Sequence, residues 1–399
     1  MNLLVIGSGM MGSAAAFDMA RATQVTSITL ADLDARRARE AATRVNRLAR
    51  NKKVRPAQLD ASSEKAVRKL MREHQAALSA VPYFFNLGLA HAAIDAGCHF
   101  ADLGGNNTVV REELALGRKA EKRGVAIAPD CGLSPGMASI LAGELMRRIG
   151  GKASALKIYV GGLPERPHPP FEYQLVFSVE GLINEYVEPV RVLHDGRAKE
   201  IEPLTEPEPF RIAGYPVELV AFHTSGGAST LPETFAGAVG ECWEKTLRTP
   251  GHYEMVRSLY DLGLFSSDKR KFGKVELAPR EMMARLFEEK FAGSEPDVVI
   301  LRVEAHPPKR RGLRAIFGGA EEPAPKVLAF TVLDRYDRTS GMTAMMRTTA
   351  WPASIVTQML ASGAIARRGG IRQELDVPAD RFLAEMEARG IRIKYSEEG

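Results

Sequence analysis

The sequence predicts an α/β fold, a doubly wound parallel sheet, followed by an α+β domain with a mainly antiparallel sheet. Three observations carry this prediction. Short apolar runs alternate with helical stretches from Leu3 to Asp130. A glycine-rich turn, GSGMMG at 7–12, joins the first run to the first helix. Beyond about position 150 the alternation gives way to long strand-like runs.

Residues 3–6 (LLVI) read as a buried strand, because the run is short, apolar and unbroken by polar residues. A helix is expected over 11–22, with small residues at its start, and a second strand over 26–31. A charged helix follows at 35–50. The alternation continues with a strand at 54–60, a helix at 62–73, a strand at 76–81, a helix at 84–96, a strand at 99–103, a helix near 110–122 and a strand at 125–130. Alternating strands and helices imply parallel pairing, with strand order 3-2-1-4-5-6.

The second half predicts strands at 155–162, 173–181, 188–193, 217–224, 297–305 and 326–334, with a helical stretch at 233–264. The segment 307–325, rich in Pro, Gly and charge, reads as an exposed hairpin excursion. A helix is expected over 352–363, and a short one within 372–392.

Hydrophobic residues make up 45% and charged residues 26% of the 399, an ordinary globular composition. The net charge of +5 is small for this length, and no basic block carries interleaved aromatics, so nucleic acid is not an expected partner. Cys98, Cys131 and Cys242 are odd in number and widely spaced, which argues against a disulfide framework or a zinc site. No charged-then-apolar leader precedes Leu3, and no run reaches the ~18 apolar residues of a membrane helix. A reduced, cytoplasmic setting is the expectation.

The turn at 7–12 follows a buried strand and opens a helix, and Asp32 lies further on, at the end of the second strand. That combination, at that spacing, is the Rossmann dinucleotide fingerprint. Gly7 makes the tight turn, Gly9 admits the pyrophosphate, and Gly12 allows close helix packing. Ser8, Met10 and Met11 complete the anion-binding helix start. Asp32, with Leu33 beside it, is positioned for the adenosine ribose hydroxyls and opposes a 2′-phosphate, so NAD is expected over NADP. Arg36 and Arg37 speak for the alternative. Asp60 and Ala61 are expected to edge the adenine. Ser79, Ala80 and Val81 are expected along the nicotinamide ribose, since ligands lie at the carboxyl ends of the strands.

Candidates for substrate chemistry lie elsewhere. Asp130, in APDCGLSPGM (128–137), is read as an acid/base or an amino-group ligand, or else as a cap. Cys131 reads as a packed residue. His223, before the loop TSGGAST, is a candidate general base. Thr224 and Ser225 of that loop are read as substrate-binding, and Glu180 as an ammonium ligand. Arg248 is read as a bidentate carboxylate anchor.

Several strings in order resemble the saccharopine dehydrogenase-like family, most closely its lysine 6-dehydrogenases. They are GSGMMG, ALSAVPYFFNLGLAHAAIDAGCHFADLGG, PDCGLSPGM, VGGLPERP, FSVEGLINEY, FHTSGGASTLPETF and EKTLRTPGH. The resemblance implies a dinucleotide-binding domain over 1–133, an inserted catalytic α+β domain over 134–342 and a segment, 343–399, that returns to the first domain. It implies that Arg248 lies near the substrate carboxylate. Two positions depart from the family pattern. Thr249 stands where an aromatic residue is usual, and Ser134 stands where saccharopine reductases carry an acid.

The expected activity is NAD-dependent oxidative deamination of the ε-amino group of L-lysine, with His223, Asp130 or Glu180 as the base and no metal. A reductive coupling of the saccharopine or carboxynorspermidine type is the alternative, and a non-catalytic nicotinamide sensor a further one. A small-molecule amino acid and a second copy of the chain, as a homodimer or larger homo-oligomer, are the expected partners.

Overall fold

A computed structural model describes residues 1–293, 295–308 and 326–399. Most of the segment expected as a hairpin excursion, 309–325, lies outside the described residues.

From the N-terminus the chain runs β1 (Asn2–Ile6), α1 (Met10–Arg21), β2 (Ser27–Asp32), α2 (Ala35–Ala49), β3 (Val54–Gln58), α3 (Glu64–Met71), β4 (Ala76–Ser79), α4 (Asn86–Ala96), β5 (His99–Asp102), α5 (Asn107–Ala115), α6 (Gly117–Lys122), β6 (Ala126–Ala128) and α7 (Met137–Arg148). Next come β7 (Ala153–Pro164), α8 (Val179–Val187), β8 (Val190–His194), β9 (Arg197–Ile201), β10 (Glu208–Phe210), β11 (Leu219–His223), α9 (Leu231–Thr234), β12 (Val239–Arg248) and α10 (Pro250–Asp261). A small hairpin, β13 (Arg270–Phe272) and β14 (Val275–Leu277), precedes α11 (Pro279–Phe291), β15 (Asp297–His306) and β16 (Val327–Arg335). The chain ends with α12 (Ala344–Ser362), β17 (Gly369–Gly370), α13 (Gln373–Asp376), α14 (Ala379–Ala388) and β18 (Ile393–Glu398).

The residues form two compact units. The first comprises 1–140, 296–298 and 334–392, and the second 141–295, 299–333 and 393–399. The first unit holds a sheet of order β17-β6-β5-β4-β1-β2-β3. Its strands pair in parallel, from β3 on β2 through to β17 on β6. The order 3-2-1-4-5-6 is therefore present, with β17 added at one end. Pro56 is tolerated in β3 because that strand is the edge and needs no further N–H donor. Leu4, Ile6, Leu89, Ile94, Phe100 and Ile127 form much of the core.

α12 packs along α1. It starts at Ala344, earlier than the sequence indicates, because Thr343 caps it and Asp297 accepts the N–H groups of Ala344 and Met345. Pro352 sits inside this helix. Asp18 of α1 accepts from Ser354 of α12 at 2.7 Å and from Arg389 at 2.7 Å.

The second unit is built on a sheet of order β10-β11-β12-β7-β15-β16-β18, with β8 and β9 attached at β12. It is mixed and mostly antiparallel, with β12 parallel to β7. Three sequence expectations need correction here. Residues 173–181 are not a strand. Ser178 caps α8, and Val179, Leu182, Ile183 and Tyr186 then follow helical spacing. Residues 239–248, expected within a helical stretch, form β12, a strand buried on both faces over most of its length, where apolar alternation is lost. Residues 393–398, expected to return with 343–392, instead pair with β16 as β18. Tyr173, Ile183, Tyr186, Phe222, Phe287 and Phe291 belong to one hydrophobic core of the unit.

Candidate functional site

In the first unit the polypeptide turns sharply after β1. Gly7 adopts φ +101°, and a Cβ there would lie 2.5 Å from the Ala80 carbonyl oxygen. A Cβ on Gly12 would overlap the Gly7 carbonyl, so both glycines are required by the fold itself. At Gly9 an added Cβ would meet no protein atom within 4 Å. The N–H groups of Met10, Met11 and Gly12 precede the first intrahelical bond, Ser13 to Gly9, and no side chain caps the helix. A helix start of this kind suits a pyrophosphate.

Asp32 ends β2. Its Oδ2 accepts from the Ser8 N–H at 2.9 Å and hydroxyl at 2.6 Å, and Oδ1 accepts from the Asp34 N–H at 3.1 Å. Partial burial raises its pKa, but these bonds and the nearby Arg37 outweigh that and hold the carboxyl below its ordinary value. Asp32 is therefore an anion at neutral pH. Leu33 is exposed, and Arg36 is exposed beside Glu40 at 3.7 Å. Asp60 and Ala61 follow β3, where Asp60 accepts from Ser62. Ser79 is buried and donates to Asn86 at 2.7 Å, while the Ala80 N–H donates to Ile6.

At the ends of β5 and β6 three carboxyls gather. Asp102 Oδ1 accepts from the N–H of Gly104 at 2.6 Å and of Asp130 at 3.2 Å. Burial, together with the adjacent Asp102 and Asp130, pushes the Glu113 carboxyl far above its ordinary range, so it keeps its proton. Asp130 has φ +59°. Cys131 is buried and accepts from Gln373 Nε2 at 3.0 Å.

The second unit presents a different constellation. Alternation along β12 sends Glu244, Thr246 and Arg248 to one face, and each is buried. Arg248 Nη2 lies 3.4 Å from Glu185, and its Nε donates to the Tyr186 hydroxyl at 3.4 Å. Its guanidinium stands 5.0 Å over the Tyr173 ring. Desolvation, partly offset by Arg248, raises Glu185 to about 7. Glu244 Oε2 accepts from Thr224 at 3.2 Å, and burial and Glu185 raise its carboxyl well above the ordinary range. Ser225 donates to Pro189 O at 3.0 Å, which pins the loop.

Two of the three residues read as catalytic, His223 and Glu180, do not join this group. His223 pairs opposite Lys245 and so leaves the sheet on the other face, against Trp243 at 5.8 Å and Glu206 at 3.3 Å. Burial and Lys245 lower its pKa, so it is neutral. Glu180 is exposed at the start of α8 and pairs with Arg280 at 3.0 Å. Asp130 belongs to the first unit. Sequence reasoning missed Glu185, Glu244, Tyr173, Tyr186 and His252. The one available signal was the i, i+2, i+4 spacing of Glu244, Thr246 and Arg248, and it is readable only once 239–248 is known to be a strand.

A glycine-rich strand-to-helix turn, an uncapped helix start and an ionised acid at the end of β2 define a nicotinamide-dinucleotide-binding domain. The residues present fit that cofactor. The family model described as the saccharopine dehydrogenase NADP binding domain matches residues 3–128, and the saccharopine dehydrogenase C-terminal domain matches 132–391. The chain belongs to the saccharopine dehydrogenase family of oxidoreductases. It is 25% identical over 253 residues to the NADP-dependent, L-glutamate-forming saccharopine dehydrogenase of Schizosaccharomyces pombe, covering 60% of this chain and 55% of the relative. It is 22% identical over 246 residues to the protein of the same description from Saccharomyces cerevisiae, covering 59% and 54%. The chain spans about half the length of these curated relatives. The apo structure of the L-glutamate-forming enzyme from Saccharomyces cerevisiae superposes over all of both chains with a TM-score of 0.77 at 19% identity, which shows a shared fold. No described helix is long and apolar enough to cross a membrane.

Proposed function

We propose that the chain oxidises the ε-amine of L-lysine with NAD, releasing ammonia and a semialdehyde that cyclises. The supporting observation is the grouping of one buried arginine, Arg248, with two carboxyls, the buried Glu244 and the half-buried Glu185. It suits a ligand that carries one carboxylate and a surplus of amines. When bound, the dinucleotide supplies the hydride acceptor. Arg248 holds the substrate carboxylate, its own direction set by Tyr186 and the Leu247 carbonyl. The reacting ammonium must first lose a proton, because only the neutral amine gives up hydride. Water then adds to the resulting iminium carbon, and nitrogen leaves as ammonia.

NAD is preferred in this reading because Asp32 is an anion where a 2′-phosphate would sit. Lysine with NAD should yield NADH and ammonia in equal amounts, with no second organic substrate. Activity should rise with pH, because a free ε-amine titrates near ~10.4. A reductive coupling predicts the opposite: no NADH from lysine alone, and NADH consumed when lysine and a 2-oxo acid or semialdehyde are both present. That result would replace this reading with the coupling one. Bound dinucleotide without turnover in either assay would replace it with a sensor.

A further inference from the structure

Glu244 has two oxygens in different situations. Oε2 accepts from Thr224. Oε1 is buried and accepts no hydrogen bond among the described residues, with the Thr246 hydroxyl the other donor close to the carboxyl. Two further buried polar atoms in the surroundings of Arg248 share that condition: the hydroxyl of Tyr173, whose ring underlies the guanidinium, and the hydroxyl of Thr249. Buried polar atoms without partners are costly in a fold and are accordingly rare, so three on or around the stretch from Glu244 to Thr249 mark a place built for a polar ligand. The loop backbone closes on the acid. A Cβ at Gly227 would lie 2.5 Å from Glu244 Cγ and 2.7 Å from Oε2.

The charges are distributed to match. Arg248 is permanently cationic and has Glu185 as its ion-pair partner. Glu244, further back on the same strand face, has no cation at hydrogen-bond distance among the described residues. The stretch of strand from Glu244 to Arg248 spans roughly 13 Å between Cα atoms, on the scale of a small zwitterion between two long side chains of one face.

We propose that Glu244 accepts the α-ammonium of an amino acid whose α-carboxylate is held by Arg248, so that this unit recognises the free α-amino-acid head. The assignment rests on the reading of Arg248 as the carboxylate anchor. It follows that a ligand lacking the α-amine, or carrying it blocked, is selected against. The chemistry balances as a proton transfer to solvent. A neutral Glu244 carboxyl loses its proton as the ammonium arrives, leaving a carboxylate–ammonium pair and one released proton.

The test is calorimetric titration of the full chain, saturated with NADH so that no turnover occurs. L-lysine and 6-aminohexanoate, which lacks the α-amine, are the probes. Each is measured in two buffers of different ionisation enthalpy. Wild type should release about one proton per lysine and none with 6-aminohexanoate, which should bind about tenfold more weakly. Glu244→Gln keeps shape and neutrality, so it should fold. It should bind lysine about tenfold more weakly, without proton release, and no longer distinguish the two probes. Thr224→Val, which removes only the donor to Oε2, should weaken lysine about threefold and serves if the glutamine variant fails to fold. Wild-type lysine affinity and proton release in these variants would overturn the assignment. Wild-type affinity for both probes in Arg248→Ala would overturn the anchor reading instead.

Discussion

The hydroxyl of Tyr186 donates to Nε2 of His252 at 2.9 Å. The direction follows from the other ring nitrogen, because Nδ1 faces the Phe171 carbonyl at 3.0 Å and must donate there. Burial and Arg248 push His252 down to about 3, so the ring is neutral throughout the working range. Tyr186 is then left to accept from Arg248. A chain of three bonds thus aims a guanidinium.

Tyr186→Phe removes both of its bonds while keeping the ring. The Michaelis constant for the amino acid should rise about three- to tenfold, equivalent to about 1 kcal/mol, with turnover nearly unchanged. Steady-state kinetics check this. An unchanged Michaelis constant with a large drop in melting temperature would make Tyr186 a packing residue only.

Asp32 should set the cofactor preference. Asp32→Ser is expected to weaken NAD and to reduce discrimination against NADP, since the charge opposing a 2′-phosphate is gone. The comparison is kcat/KM for the two dinucleotides. A wild type that already prefers NADP tenfold, about 1.4 kcal/mol, contradicts the role given to this carboxylate.

The Asp102–Glu113 pair predicts a pH dependence of stability. Both carboxyls are raised in the fold, Asp102 chiefly by burial and Glu113 by burial and the neighbouring Asp102. The folded chain therefore holds protons that the unfolded chain releases above its ordinary value near 4.5. Stability must fall as pH rises through that window, by up to about 1.4 kcal/mol per pH unit for each linked proton. Glu113→Gln keeps the side chain's shape but removes a titrating proton, so its melting temperature should depend less steeply on pH between 5 and 9. Identical slopes for variant and wild type would refute a proton held on Glu113 in the fold.

Asp18 and Arg389 bring α1 and the segment after α14 together through a buried ion pair. Arg389→Leu leaves Asp18 buried without its cation and should cost about 3–5 kcal/mol. Thermal or denaturant unfolding measures it. A loss below about 1 kcal/mol would show that Ser354 alone satisfies Asp18.

Much of the first unit was legible because its signals are local. An apolar run, three glycines at fixed spacing and an acid at the end of the second strand each follow from backbone geometry within one short stretch of chain. Arg248 is legible from its motif, yet its neighbours are not. Glu185 and Glu244 are far apart in sequence and come together only because α8 lies against β12, joined to it through Arg248. His223 stands out in the sequence for its intrinsic pKa, and only strand register decides that it faces away from Arg248.

By itself the sequence determined the doubly wound sheet, its strand order and the dinucleotide turn, because those depend on short-range periodicity and on where a Cβ is forbidden. Tertiary structure alone decided which side of β12 carries Glu244 and Arg248, that 239–248 is a strand and that 393–398 closes the second sheet. In a strand buried on both faces the alternation that marks a half-exposed strand disappears, and side-chain direction is then set by partners distant in the chain.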